Sequence, residues 1–395
     1  MTAEVRAVTV TERRNRLARR HFLADPGTDA HAVTGTLVGL HATDPATPYL
    51  SLHARLPGFT VADLDAALYR DRNLVKHMAM RRTLWVVRSA DLGAVQSGGS
   101  DRVADAERRR LIADVQKAGI APDGTAWLDR ASAAVLAQLN SGHANTATLR
   151  AALPELAGEW DPAPGKTWGG TTPVAPRVLT VLSAQGRVLR GPNAGGWTTS
   201  RPLWAPATQW LTAPSVALDA DGARSALLRA WLYAFGPASV TDVKWWFGQT
   251  LGWARAGLAT VGAVQVELEG SVEPGFVLPD DLEPAEAPEP WGALLPGLDP
   301  TVMGWQARDW YLGPHGGQLF DRSGNAGPTV WWDGRVVGAW AQDADGRVQL
   351  AYVDDPGAGA RKVLQRKAAA LTEWLGDVRI KPRFPSSLSK QLALG

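Results

Sequence analysis

Residues 60–87 read TVADLDAALYRDRNLVKHMAMRRTLWVV, and the organisation of the chain turns on them. Thr60 is placed to cap a helix through residue 69, with Val61, Leu64, Ala67 and Leu68 spaced for one buried face. Two short apolar runs follow, 74–80 and 83–87, and read as a strand pair around Arg81-Arg82. Upstream, residues 11–22 read as a helix, and Asp25-Pro26-Gly27 as a turn. A second helix over 29–40 carries Val33, Leu37, Val38 and Leu40 near one face. His41-Ala42-Thr43-Asp44-Pro45 breaks it, because a proline keeps the preceding residue out of helical geometry. A short helix over 49–56 precedes the Pro57-Gly58 turn. Helices followed by a two-stranded basic hairpin is the plan of a winged helix.

The plan recurs twice. Helices are predicted over 125–139, 146–153 and 176–184, with a Pro/Gly-rich loop at 160–175. A hairpin then brings Arg187, Arg190 and Arg201. The third pass has helices over 223–235, 239–247 and 252–258, with Ser239 or Thr241 as the cap and Trp231, Trp245 and Trp246 in the core. Its strands fall over 261–268 and 276–278. That hairpin is acidic (Glu267, Glu269, Glu273), which suits a scaffold role and sets it apart from the two basic hairpins. Residues 279–290, PDDLEPAEAPEP, form an acidic proline-rich linker. Beyond it, strands at 329–332, 335–341 and 348–352 alternate around Asp333-Gly334 and Asp345-Gly346, and a helix over 362–375 closes the domain. The expected fold is α+β: winged-helix modules at 1–95, 96–212 and 213–280, then a β-rich domain at 291–395.

Composition narrows the function. In 395 residues there is no cysteine, which removes disulfides, thiolate nucleophiles, iron–sulfur clusters and cysteine-ligated zinc. A hydrophobic fraction of 45% with 20% charge supports real cores. No apolar run is long enough to span a bilayer, and six arginines in residues 1–20 have no apolar stretch behind them, so no secretory signal is expected. The expected compartment is the cytoplasm. The net charge of +2 hides an asymmetry: residues 211–290 hold eleven acidic and four basic side chains, and the rest of the chain is mildly basic. Local positive fields of that kind suit a polyanionic partner.

Familiar enzyme signatures are absent. The runs GPHGGQ (313–318) and GPNAGG (191–196) lack the lysine and context of a phosphate loop, and no G-x-S-x-G elbow occurs. Five of seven histidines precede residue 78, without the spacing of a metal site, so neither metal nor cofactor is expected. Eighteen tryptophans read chiefly as core, with stacking on bases open to a few. The stretch Leu37–Pro45 stands out for placing His41, Thr43 and Asp44 at a helix end. Asp44 ahead of Pro45 also reads as the cap of the following helix, and the sequence leaves both readings open.

Residues 39–57 (GLHATDPATPYLSLHARLP), with Ala67-Leu68-Tyr69, Arg72 and residues 74–84 (LVKHMAMRRTL), resemble the AlkZ-like DNA glycosylases. Residues 299–313 (DPTVMGWQARDWYLG) and 320–337 (FDRSGNAGPTVWWDGRVV) resemble the same family. The resemblance implies tandem winged helices around a C-terminal β-domain, enclosing a DNA channel. It also implies excision of alkylated or bulky-adduct purines from duplex DNA. The family's motif after Gly-Leu is Gln-x-Gln or Gln-x-Asp; here those positions hold His41 and Thr43, with Asp44-Pro45 retained.

Such chemistry needs an exposed glycosidic bond, a placed water and stabilised oxocarbenium charge. A neutral His41 suits activating or orienting the water, Thr43 positioning it, and Asp44 supplying negative charge. Arg81, Arg82, Arg187, Arg190 and Arg201 are the expected phosphate contacts. The expectation is a monomeric, monofunctional glycosylase associated with the nucleoid. The alternative is a non-catalytic winged-helix protein that senses damage or regulates transcription.

Overall fold

A computed structural model describes residues 5–394, apart from 164, 168, 169, 214, 215 and 217. The loop expected at 160–175 therefore lies partly outside the described residues. The fold is α+β, and the chain packs as two compact units: residues up to 64 together with those from 224 onward, and residues 65–223. This division is drawn differently from the four modules read in the sequence.

Within 65–223, helix Gly124–Asn140 starts at Asp123, whose carboxylate accepts the Ala126 amide, and helix Thr146–Ala152 starts at Asn145, which accepts from Thr148. Leu128, Ala131, Val135 and Leu139 meet Leu149 and, from helix Ala175–Ala184, Val178, Leu179 and Leu182 in one core. Val188 and Trp204, from the hairpin Val188–Asn193 and Pro202–Pro206, close that core. Trp204 also pairs antiparallel with Ala144, between the first two helices. Helix, strand position, helix, helix and hairpin, with the early strand against the last one, is winged-helix order.

The hairpin of the opening stretch, Leu74–Ala79 and Thr83–Arg88, runs in register from Leu74↔Arg88 to Ala79↔Thr83. Leu74–Ala79 is buried along its whole length, as are residues 84–87 of the second strand, so this hairpin is a core element. Its His77 is fully buried and bonds through Nε2 to Ser100 Oγ at 2.8 Å.

The same order appears in the other unit. Strand Gly275–Val277 pairs with both Ala238–Ser239 and Val264–Leu268, and Ala7–Val8 joins the latter in parallel. Ser239 is the cap of helix Val240–Phe247, in a reciprocal capping box with Asp242. Trp231 and Trp246 are core as expected, while Trp245 is half-buried.

Four antiparallel strands, Gly292–Leu295, Thr329–Trp332, Arg335–Gln342 and Val348–Tyr352, form a sheet in that order. Helix Ala358–Leu375 packs on it through Ala360, Leu364, Ala368 and Leu371. Gly292 permits that approach, since a Cβ there would stand 2.9 Å from Leu364 Cδ2.

Candidate active site

The chain leaves helix Ala30–Thr36 through Val38 and Gly39, both with positive φ, and enters the two-residue strand Leu40–His41. Glycine tolerates the φ of 120° at residue 39; Val38 holds a conformation that costs a β-branched residue energy. Residues 42–46 then turn sharply into helix Thr47–His53, whose Thr47 hydroxyl donates to the Gly297 carbonyl at 2.7 Å.

His41 is 3% exposed, and Thr43 is half-buried. The Thr43 amide donates to His41 Nδ1 over 3.4 Å, a long bond. A neutral ring that accepts at Nδ1 carries its proton on Nε2. His41 in this arrangement presents a donor.

Asp44 is 7% exposed, and both its oxygens are engaged. Oδ1 accepts the Ala46 amide at 3.1 Å, and Oδ2 accepts the Arg383 amide at 2.8 Å. The Arg383 guanidinium also donates to the Thr43 carbonyl at 3.3 Å. Burial pushes the Asp44 carboxyl above the usual range; the amide bonds from Arg383 and Ala46 and the Arg383 charge oppose it and do not prevail. Asp44 does not cap the following helix directly: the cap position is Ala46, without a side-chain bond. Its carboxylate is the keystone between the turn and the C-terminal segment around Arg383.

Behind the turn lies a saturated polar core. Arg55 and Asp299, both with fully buried side chains, form a two-pronged pair at 2.7 and 2.8 Å. Ser51 Oγ donates to Asp299 at 2.6 Å, and Arg55 also donates to the Ser51 and His21 carbonyls and to Thr301 Oγ. The Thr301 hydroxyl, accepting from Arg55, donates to His21 Nδ1 at 2.8 Å, and His21 Nε2 donates to the Ala234 carbonyl at 3.1 Å. Burial and the neighbouring Arg55 charge lower the His21 pKa to about 3, so its ring is neutral. Burial pushes Asp299 upward, but the Arg55 charge and the bonds from Arg55, Ser51 and Thr301 more than reverse it. The helix carrying Ser51 is thereby locked to residues 299–301.

The five arginines proposed for DNA divide. Arg187 and Arg201 are exposed, and Arg190 lies 5.0 Å over the Trp204 ring. Arg82 is 55% exposed but paired at 2.9 Å with Glu107, which is itself nearly buried and shared with Arg110. Arg81 and Arg82 both have left-handed backbones, φ 56° and 61°, where glycine or asparagine is the cheaper choice. Sequence reasoning missed Arg383, Arg55 and Asp299 as parts of the site's support. The run DPT at 299–301 and the Arg55 in LHAR were visible, but nothing local pairs them.

The profile of the family described as DNA glycosylase AlkZ-like matches residues 34–374. The curated interstrand DNA cross-link repair glycosylase of Streptomyces sahachiroi is 27% identical over 214 residues, 52% of this chain and 57% of that protein. The alignment thus spans little more than half the relative's length. The solved structure of Streptomyces sahachiroi DNA glycosylase AlkZ superposes with a TM-score of 0.74 at 22% identity, covering 95% of this chain and 99% of that one. At that identity the likeness is one of fold. With the family profile running through His41, the buried Arg55–Asp299 core and the sheet, this chain belongs to the AlkZ-like DNA glycosylase family.

Proposed function

We propose that this protein is a monofunctional DNA glycosylase that hydrolyses the N-glycosidic bond of alkylated or bulky-adduct purines in duplex DNA. The observation that carries the reading is the braced turn at the family's motif position, with His41 and Thr43 ahead of an Asp44 fixed by Arg383. A purine alkylated on a ring nitrogen is already cationic, so departure needs little acid help. The protein's work is to expose the bond, place water and stabilise charge on the sugar.

In this proposal His41 orients the water as a neutral ring, Thr43 holds it by its hydroxyl, and Asp44 keeps the turn in shape while contributing negative charge. Removing a proton at His41 Nε2 requires the other tautomer and the loss of the weak Thr43 contact. Orientation is therefore the role its geometry favours. Arg187, Arg190 and Arg201, with Arg81 and Arg82, supply phosphate contacts. The cross-link repair named for the Streptomyces sahachiroi relative makes unhooking of interstrand cross-links a candidate activity. The four modules at 1–95, 96–212, 213–280 and 291–395, a monomeric state and a place in the cytoplasm with the nucleoid complete the proposal.

The test is incubation with a duplex carrying one alkylated guanine, with free base measured by mass spectrometry. Release supports the glycosylase. Tight binding without release moves the assignment to a non-catalytic sensor or regulator.

A further inference from the structure

Helix Val10–Arg20 buries two arginines in different ways. Arg16, 1% exposed, is saturated: it bonds Glu12 at 2.9 Å, the Asp281 carboxylate at 2.8 Å and the Asp281 and Glu283 carbonyls. Arg13, 5% exposed, has no side-chain hydrogen bond or ion pair among the described residues, and its Nη2 is buried and unpartnered. Charged groups are seldom buried without partners, because desolvation costs several kcal/mol or more. Burial accordingly lowers the Arg13 pKa to about 10, although Asp242 pulls the other way. The Asp242 oxygens are already taken by Ser239, Gln306 and Ala307.

Arg13 lies 4.1 Å over the Trp310 ring, and Trp310 Nε1 is a second buried donor without a partner. Both residues line one cleft of about 440 Å³. Its rim is of the opposite sign: Glu269, Glu273 and Asp309 line it and are exposed. Leu268, Val272 and Ala307 add apolar wall.

We propose that this cleft binds a small zwitterion of the amino-acid class, with a carboxylate on Arg13 and Trp310 Nε1, an ammonium toward the acidic rim, and an apolar side chain along Leu268 and Val272. The guanidinium fork matches a planar carboxylate. A phosphate or a simple carboxylate has to pass three carboxylates with nothing to offset them, which sets nucleic acid aside as the occupant. The volume falls in the range of small-molecule sites. The site is separate from the His41 turn in composition, and its test uses no DNA.

Titration calorimetry and thermal shift on the full chain use L-phenylalanine and L-leucine as probes. N-acetyl-L-phenylalanine lacks the ammonium, and L-phenylalaninamide lacks the carboxylate. At least one free amino acid should bind and raise the melting temperature. The blocked analogues should bind at least tenfold more weakly. Arg13→Met should abolish binding while leaving the unliganded protein as stable as the parent or more so, because an unpaired buried charge has gone. Asp309→Asn should weaken binding without changing the melting temperature. Absence of binding by both amino acids, equal binding of the acetylated form, or Arg13→Met melting well below the parent overturns the proposal.

Discussion

Asp299→Asn keeps the shape of a buried side chain and deletes its charge. In the parent, Arg55 meets both carboxylate oxygens at 2.7 and 2.8 Å with neither side chain exposed to water. An amide can offer one oxygen to Nη2, but its NH2 then faces the donor Nη1, and the guanidinium stays buried and uncompensated. Breaking one partner of such a pair costs about 3–5 kcal/mol. With a shift of roughly 2–4 °C per kcal/mol for a unit of this size, the melting temperature should fall by on the order of 10 °C. Arg55→Met/Asp299→Leu removes the buried charges but takes the partners from the Ser51 hydroxyl, the Thr301 amide and the Ser51 and His21 carbonyls, so it should also melt below the parent. Differential scanning calorimetry at neutral pH reads both variants, with Arg229→Ala as the control for an exposed pair. A fall of 2 °C or less in Asp299→Asn, or a double variant as stable as the parent, refutes the network as a stabilising lock.

Three shorter expectations follow from other parts of the molecule. Arg383→Ala keeps the backbone bond to Asp44 and loses the guanidinium's bond to the Thr43 carbonyl, so base release should slow roughly two- to twelvefold, the equivalent of about 0.5–1.5 kcal/mol, with Arg383→Lys partly restoring it and DNA affinity changed no more than for other surface arginines; unchanged single-turnover rates remove the Arg383 side chain from the site. Loss of Arg187 or Arg201 should weaken binding alike on all sequences and lower the salt slope by about one unit each, whereas Arg82→Ala should do less, its charge being shared with Glu107; salt-dependent anisotropy decides. His21 near 3, and His53 and His77 near 4, are all depressed by burial, so the unfolded chain takes up protons that the folded one refuses. Stability should therefore be full above about pH 6.5 and fall as pH drops toward 3; urea midpoints that stay flat over that window contradict the buried neutral rings.

What could be read from the sequence was local. Thr329–Trp332 and Val348–Tyr352 fall where alternation and the Asp-Gly turns place them, and of the two caps open to helix Val240–Phe247, Ser239 or Thr241, Ser239 is the one used. Helix Asp101–Lys117 went unread because its buried stripe is narrow, Ala104, Glu107, Leu111 and Val115, with a charged residue inside it. The hairpin at 74–88 was legible as strands but not as core, since Lys76 and His77 look like surface residues until packed. In the site, His41 and Thr43 were marked by position, yet the bond from Arg383 to Asp44 spans 339 residues and that from Arg55 to Asp299 spans 244. Periodicity carries no trace of contacts made by tertiary folding alone.

The most direct test of the central claim is the pH profile of base release from an alkylated duplex under single-turnover conditions, for the parent, His41→Ala and His41→Gln. A ring that works in its neutral form should lose release only where acid protonates it and hold a plateau above that. His41→Ala should lose release, and His41→Gln, which restores the family's usual residue, should keep measurable release without the inflection. His41→Ala releasing base at the parental rate, or His41→Gln releasing no more than His41→Ala, contradicts the assignment of His41 as the residue that orients the attacking water.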